Sequence, residues 1–136
     1  MTKITGGCQC GAVRYETEAA PMMALHCECN DCRKSSGAGH VTAAAFPADA
    51  VKLTGKTTTF SNKADSGAMV SREFCPECGG RLTFRSANLP GMVAITAGSM
   101  DDPSSISPSM VVYHKRHLAW DHLDAGLPKF ETGPKR

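Results

Sequence analysis

A small, mainly β domain built from short antiparallel strands and pinned by clustered cysteines is the fold class this sequence predicts. Three observations lead there. Apolar residues alternate with period two over short stretches, the pattern of half-buried strands. Glycine and proline break those stretches at frequent intervals. Seven cysteines fall into three tight groups, and two of these groups run directly into alternating stretches.

Taken in order, "GAVRYET" (11–17) sets Val13 and Tyr15 on one face of a first strand. Asn30 or Asp31 can cap a single helical turn through "CRKSS", because short polar side chains accept from free backbone N–H groups. Further strands are predicted at "HVTAAAF" (40–46), "TTTFSN" (57–62), "AMVSREF" (68–74), "RLTFRS" (81–86), "MVAITAG" (92–98) and "MVVYHK" (110–115). The breaks between them are "LTGK", "DSGA", "CPECGG", "NLPG" and "DDPSSISP", all turn compositions. Met69, Met92, Met100 and Met110 are expected as core or half-buried fillers. Trp120 and Phe130 are expected to anchor the C-terminal segment, which should fray past Phe130. The 136 residues fit one domain, 1–136, long enough to bury a core without staples.

Composition narrows the function classes. Net charge is +2, and the basic residues concentrate only at Arg33-Lys34, at "YHKRH" (113–117) and at Lys135-Arg136. Aromatic content is 6%, too low for a base-stacking surface, so nucleic acid is not an expected partner. No apolar run reaches membrane-spanning length, and "MTKITGGCQC" lacks the apolar core of a secretory signal. The expected location is the cytoplasm, where thiols stay reduced. An odd number of cysteines also argues against a disulfide framework. Metal ligation is the better explanation.

The cysteine groups are "GGCQCGAVRY" (Cys8, Cys10), "HCECNDC" (Cys27, Cys29, Cys32) and "FCPECGGRL" (Cys75, Cys78). C-P-x-C-G-G aims two sulfurs at one point, and its glycines allow the positive φ that such a turn needs. Structural zinc takes four thiolates. Joining the two pairs uses four cysteines and leaves a local group of three. The alternative joins Cys75 and Cys78 to two members of the triplet and strands three thiols. The first partition gives two zinc ions per chain, a closed site at Cys8, Cys10, Cys75 and Cys78 and an open one at Cys27, Cys29 and Cys32. A histidine (His26, His40 or one near the C-terminus) could close the triplet instead. His26 suits this badly, because adjacent side chains in an extended segment point apart.

Three protein ligands and an exchangeable fourth position are how catalytic zinc is held. An all-thiolate set is electron-rich, unsuited to making hydroxide and better suited to holding another soft ligand. A substrate thiol bound there would lose its proton and become a nucleophile for a carbonyl carbon. Arg33 and Lys34 follow the last ligand and could bind a substrate carboxylate; the alternative is a solvated basic pair.

"GGCQCGAVRYE", "HCECNDCRKSSGA" and "FCPECGGRLTF", with the tail "VVYHKRHLAWDHLDAGLPKFE", resemble the glutathione-dependent formaldehyde-activating enzyme family over about residues 5–131. The eukaryotic relatives of that family include centromere protein V. The resemblance implies a mainly β fold of the β-tent type. It implies a structural zinc on Cys8, Cys10, Cys75 and Cys78, and a second zinc on Cys27, Cys29 and Cys32 beside the active site. It also implies a carbon–sulfur lyase-type reaction, the addition of glutathione to formaldehyde giving S-hydroxymethylglutathione. The small-molecule partners are then a thiol and an aldehyde. The alternative function is a non-catalytic zinc module that binds a protein or nucleic acid. The sequence leaves the oligomeric state open.

Overall fold

The computed structural model describes residues 3–134, so the basic pair Lys135-Arg136 lies outside the described residues. Ten strands and one helix follow in chain order: β1 Ile4–Gly7, β2 Arg14–Thr17, β3 Met23–Cys27, α1 Asn30–Ser36, β4 Val41–Pro47, β5 Val51–Thr54, β6 Thr58–Lys63, β7 Met69–Phe74, β8 Arg81–Ser86, β9 Met92–Thr96 and β10 Val111–Val112. They form two sheets. The smaller has the order β1-β2-β5; the larger runs β10-β3-β4-β9-β8-β7-β6. Pairing is antiparallel throughout, except that β10 lies parallel to β3.

Strand β4 sits inside the large sheet and is buried along most of its length, which explains its unbroken apolar sequence "AAAF". Its alternate residues face two cores. Ala44 and Phe46 join Val13, Tyr15, Leu82, Val93 and Ile95 against the small sheet. Val41 and Ala43 face the other way, towards Cys27, Cys29, Cys32 and Val112. Phe60, Arg72, Phe84, Ala94 and Ala45 align in one row across the large sheet. Helix α1 is held over this row, with Asn62 Nδ2 donating to Asp31 Oδ2 at 3.1 Å.

Several expectations need correction. Strands β1, β3 and β5 were not anticipated. The helix is capped by Cys29, not by Asn30 or Asp31; its sulfur accepts from the Cys32 N–H at 3.3 Å. The strand expected over 110–115 stops at Val112. Tyr113 then takes a left-handed conformation (φ 57°) and residues 114–116 form a 3-10 turn. The strand expected over 92–98 likewise ends at Thr96 and passes into a 3-10 turn. Met69 and Trp120 are exposed, at 50% and 66%, so neither is a packing residue. Phe130 does pack, against the cysteine-rich core. Order continues past Phe130: the Phe130 N–H donates to Val111, and the Tyr113 N–H donates to the Thr132 carbonyl.

Candidate functional site

Two loops bring the first cysteine group together. Cys8 and Cys10 lie in the connection from β1 to β2; Cys75 and Cys78 lie in the turn from β7 to β8. All four sulfurs lie within 4.8 Å of one another. Sγ of Cys10 is 3.6 Å from that of Cys8 and 3.7 Å from that of Cys75. The edge of a tetrahedron with Zn–S bonds of about 2.3 Å is about 3.8 Å, so this donor set fits zinc. Backbone amides support it: the Val13 N–H reaches Cys8 Sγ and the Glu77 N–H reaches Cys75 Sγ, each at 3.3 Å. Gly79 completes the turn at φ 74°, a conformation that side chains disfavour. The Val13 N–H, helped by neighbouring thiols against desolvation, draws the Cys8 thiol down to about 6.

The second group is local. Cys27 ends β3, Cys29 caps α1 and Cys32 lies in the first turn of the helix; all three are buried. Their sulfurs also lie within 4.8 Å of one another, and among the described residues no histidine or carboxylate joins the group. His26 is turned away to Thr42, with Nδ1 2.7 Å from the Thr42 hydroxyl. Hydrogen bonds from Cys27 and then Cys32 pull the Cys29 thiol down to about 3, whereas Cys27 is pushed well above its ordinary value by the same contacts. One charge is thus accommodated easily, and a bound cation is what would let the remaining thiols ionise. The buried Arg72 guanidinium lies 4.0 Å from Cys32 Sγ and stacks over Phe84 at 5.8 Å.

A cleft of about 590 Å³ runs between the two groups. Cys32 lines one part of it; Cys8 and Gly80 line another. Arg72, Arg81, His40, Thr42 and Ser35 supply polar groups to its walls. The His40 Nδ1 is 2.8 Å from Asp121 Oδ2, a hydrogen-bond contact that the C-terminal segment brings in. Gly39 permits this approach, since a Cβ there would lie 2.4 Å from Asp121 Cγ.

Arg33 and Lys34 are placed differently from the cleft walls. Arg33 reaches Asn30 Oδ1 at 3.5 Å, and Lys34 is exposed; neither lines the cleft. Arg72 and Arg81 do. The signal for Arg72 was present, since a charged residue alternates with Val70 and Phe74 in "VSREF", in line with inward-facing positions. Asp121 carried no local signal, because it meets His40 from 81 residues away.

Comparison with known proteins agrees with this architecture. Residues 3–116 match the family model described as glutathione-dependent formaldehyde-activating enzyme. A solved structure of a Rhodobacter sphaeroides protein, a structural genomics target, resembles the fold with a TM-score of 0.60 at 18% sequence identity. That likeness covers 93% of this chain and 98% of the other. Among the described residues, no helix is long and apolar enough to cross a membrane.

Proposed function

The chain belongs to the glutathione-dependent formaldehyde-activating enzyme family, and on that premise we propose that it is a zinc-dependent lyase-type enzyme joining a thiol such as glutathione reversibly to formaldehyde or another small aldehyde. The observation that carries this reading is the buried, three-membered cysteine group with Cys32 on the wall of a cleft that Arg72 and Arg81 line beside Glu73. A closed structural site would not need such a cleft.

Cys8, Cys10, Cys75 and Cys78 would hold a structural zinc, and Cys27, Cys29 and Cys32 a second. At the triplet, zinc would favour the thiolate form of a substrate thiol. The chain's own residues do the rest. Arg72 and Arg81 attract the carboxylates of an anionic thiol and orient it along the cleft. We assign to them the role that the sequence suggested for Arg33 and Lys34, because Arg72 and Arg81 line the cleft. His40 takes up the proton that the thiol releases and delivers it to the aldehyde oxygen as the C–S bond forms, and both transfers run backwards in the cleavage direction. Asp121 fixes the ring by engaging Nδ1, which leaves Nε2 for proton transfer. The seven free thiols suit a reducing compartment such as the cytoplasm.

The test is exchange between glutathione, formaldehyde and their adduct, followed by NMR with and without the zinc-loaded protein. Accelerated interconversion that Cys29→Ser abolishes supports the reading. No acceleration with any small thiol and aldehyde would sink it and favour a non-catalytic zinc module.

A further inference from the structure

A third set of ligand-bearing side chains lies outside both cysteine groups. Glu28, His114 and His117 each place one ligand atom so that all three atoms lie within 4.8 Å of one another. We propose that they form a separate metal site for a borderline divalent cation of the zinc, cobalt and nickel class, held by two imidazoles and one carboxylate. This goes beyond the thiol chemistry proposed above and does not depend on it.

Glu28 is 1% exposed, in the short connection from β3 to α1. A buried carboxylate is costly unless a positive or hydrogen-bonding group compensates it. Among the described residues, the one side-chain hydrogen bond it makes is with His114, Nδ1 to Oε1 at 2.8 Å. Nitrogen and oxygen ligands around a six-coordinate ion with bonds of about 2.1 Å sit about 3 Å apart, so this pair already has the spacing of two adjacent ligands.

The backbone is committed to the arrangement. Tyr113 is the one non-glycine residue with positive φ among those described, at 57°. Such a conformation is unfavourable for a tyrosine, and it turns the chain out of β10 so that His114 folds back onto Glu28. Two main-chain bonds fix the corner from either side: the Glu28 N–H donates to Val112 and the His114 N–H donates to Phe130.

His117 completes the set from the end of the same 3-10 turn. Its ring stacks on that of His114, with centroids 4.7 Å apart and 21° between planes. Stacked rings do not both aim a nitrogen at one ion, so capture requires His117 to turn about its side chain, and its exposed position leaves room. The neighbouring Arg116 does not oppose a cation freely, because Asp65 engages its guanidinium at 3.0 Å through both nitrogens.

The site is distinct from the cysteine triplet although Glu28 lies between two of its members. Side chains alternate along an extended segment, so Glu28 departs on the side away from Cys27 and Cys29. Its donor set is also harder than three thiolates, which lets one protein discriminate two ion environments by ligand type.

The experiment uses the zinc-loaded full chain, to which Co²⁺ is added. Cobalt on nitrogen and oxygen ligands gives weak visible bands; cobalt that displaces zinc from thiolates gives strong near-ultraviolet sulfur charge transfer. The expected result is saturable uptake of one further ion with the weak bands and no charge-transfer band. His114→Gln and His117→Gln should each weaken that uptake by about tenfold or more. His117→Gln changes an exposed side chain, so the fold, checked by circular dichroism, stays intact. The proposal is overturned if the wild type takes up no further ion. It is also overturned if cobalt appears only at sulfur, or if either histidine variant binds the extra ion as the wild type does.

Discussion

Replacing Cys75 by serine should damage the zinc-loaded protein more than replacing Cys29, and the difference can be worked from the chain. Cys75 is fully buried and ties the β7–β8 turn to Cys10, 65 residues earlier in sequence. Cys27 and Cys32 close a loop of only about five residues. The entropy of closing a loop scales as (3/2)RT times the logarithm of its length, so the long closure is worth about 2.3 kcal/mol more than the short one. For a domain of this size that corresponds to a difference in melting temperature of about 8 °C. Thermal melts followed by circular dichroism, with zinc counted before and after mild chelation, measure both quantities. The wild type should retain about one zinc after chelation, since the closed site has no vacant position for a chelator to attack. Cys29→Ser should keep that zinc and lose thiol-dependent exchange. If Cys29→Ser melts as low as Cys75→Ser, the triplet carries the fold and the reasoning from loop length fails.

Three further outcomes are expected. Arg72→Gln removes a cationic group from the cleft wall and should raise KM for an anionic thiol by about tenfold or more, with a smaller effect for an uncharged thiol; equal effects on both would place Arg72 outside substrate binding. Gly39→Ala puts a Cβ into Asp121 and should lower kcat by about a hundredfold through loss of His40 positioning, while thiol binding, read from a cobalt-substituted triplet, persists; unchanged turnover would remove His40 from the mechanism. Burial, partly offset by a hydrogen bond with Ser99, pushes the Tyr15 phenol up to about 12. The unfolded chain ionises it near pH 10, so this tyrosine costs no stability below that pH and an increasing amount as pH rises from about 10 to 12. Urea midpoints measured across that window should therefore fall less steeply in Tyr15→Phe than in the wild type, and parallel slopes would refute the assignment.

The cysteine partition could be read from spacing because each pair or triplet is confined to a few residues. Only the joining of the two pairs required a long-range step, and ligand number supplied it. Strands with clean alternation, such as Met69–Phe74 and Arg81–Ser86, were equally accessible. Strand β3 was missed because it holds His26 and Cys27 where a regular apolar pattern would continue. Strand β1 ends in Gly6 and Gly7, which read as a turn. The Cys29 cap escaped notice because sulfur is an unusual capping acceptor, here available because the cysteine triplet and the helix start coincide. The His40–Asp121 pair and the Glu28–His114 pair join residues 81 and 86 positions apart. No local pattern encodes such meetings; they follow from the way the C-terminal segment returns across β10.

That return sets an order of assembly during synthesis. Translation delivers both cysteine groups, nine of the ten strands and His40 well before residues 111–132 emerge. A nascent chain can therefore take up metal and close most of its large sheet while His40 still lacks its carboxylate partner. On the proposed mechanism, metal uptake precedes catalytic competence, and a ribosome-tethered chain stalled with residues through Met110 outside the exit tunnel would carry a loaded but idle domain. Thiol binding by such a stalled chain, without aldehyde turnover, is the biochemical signature of that interval.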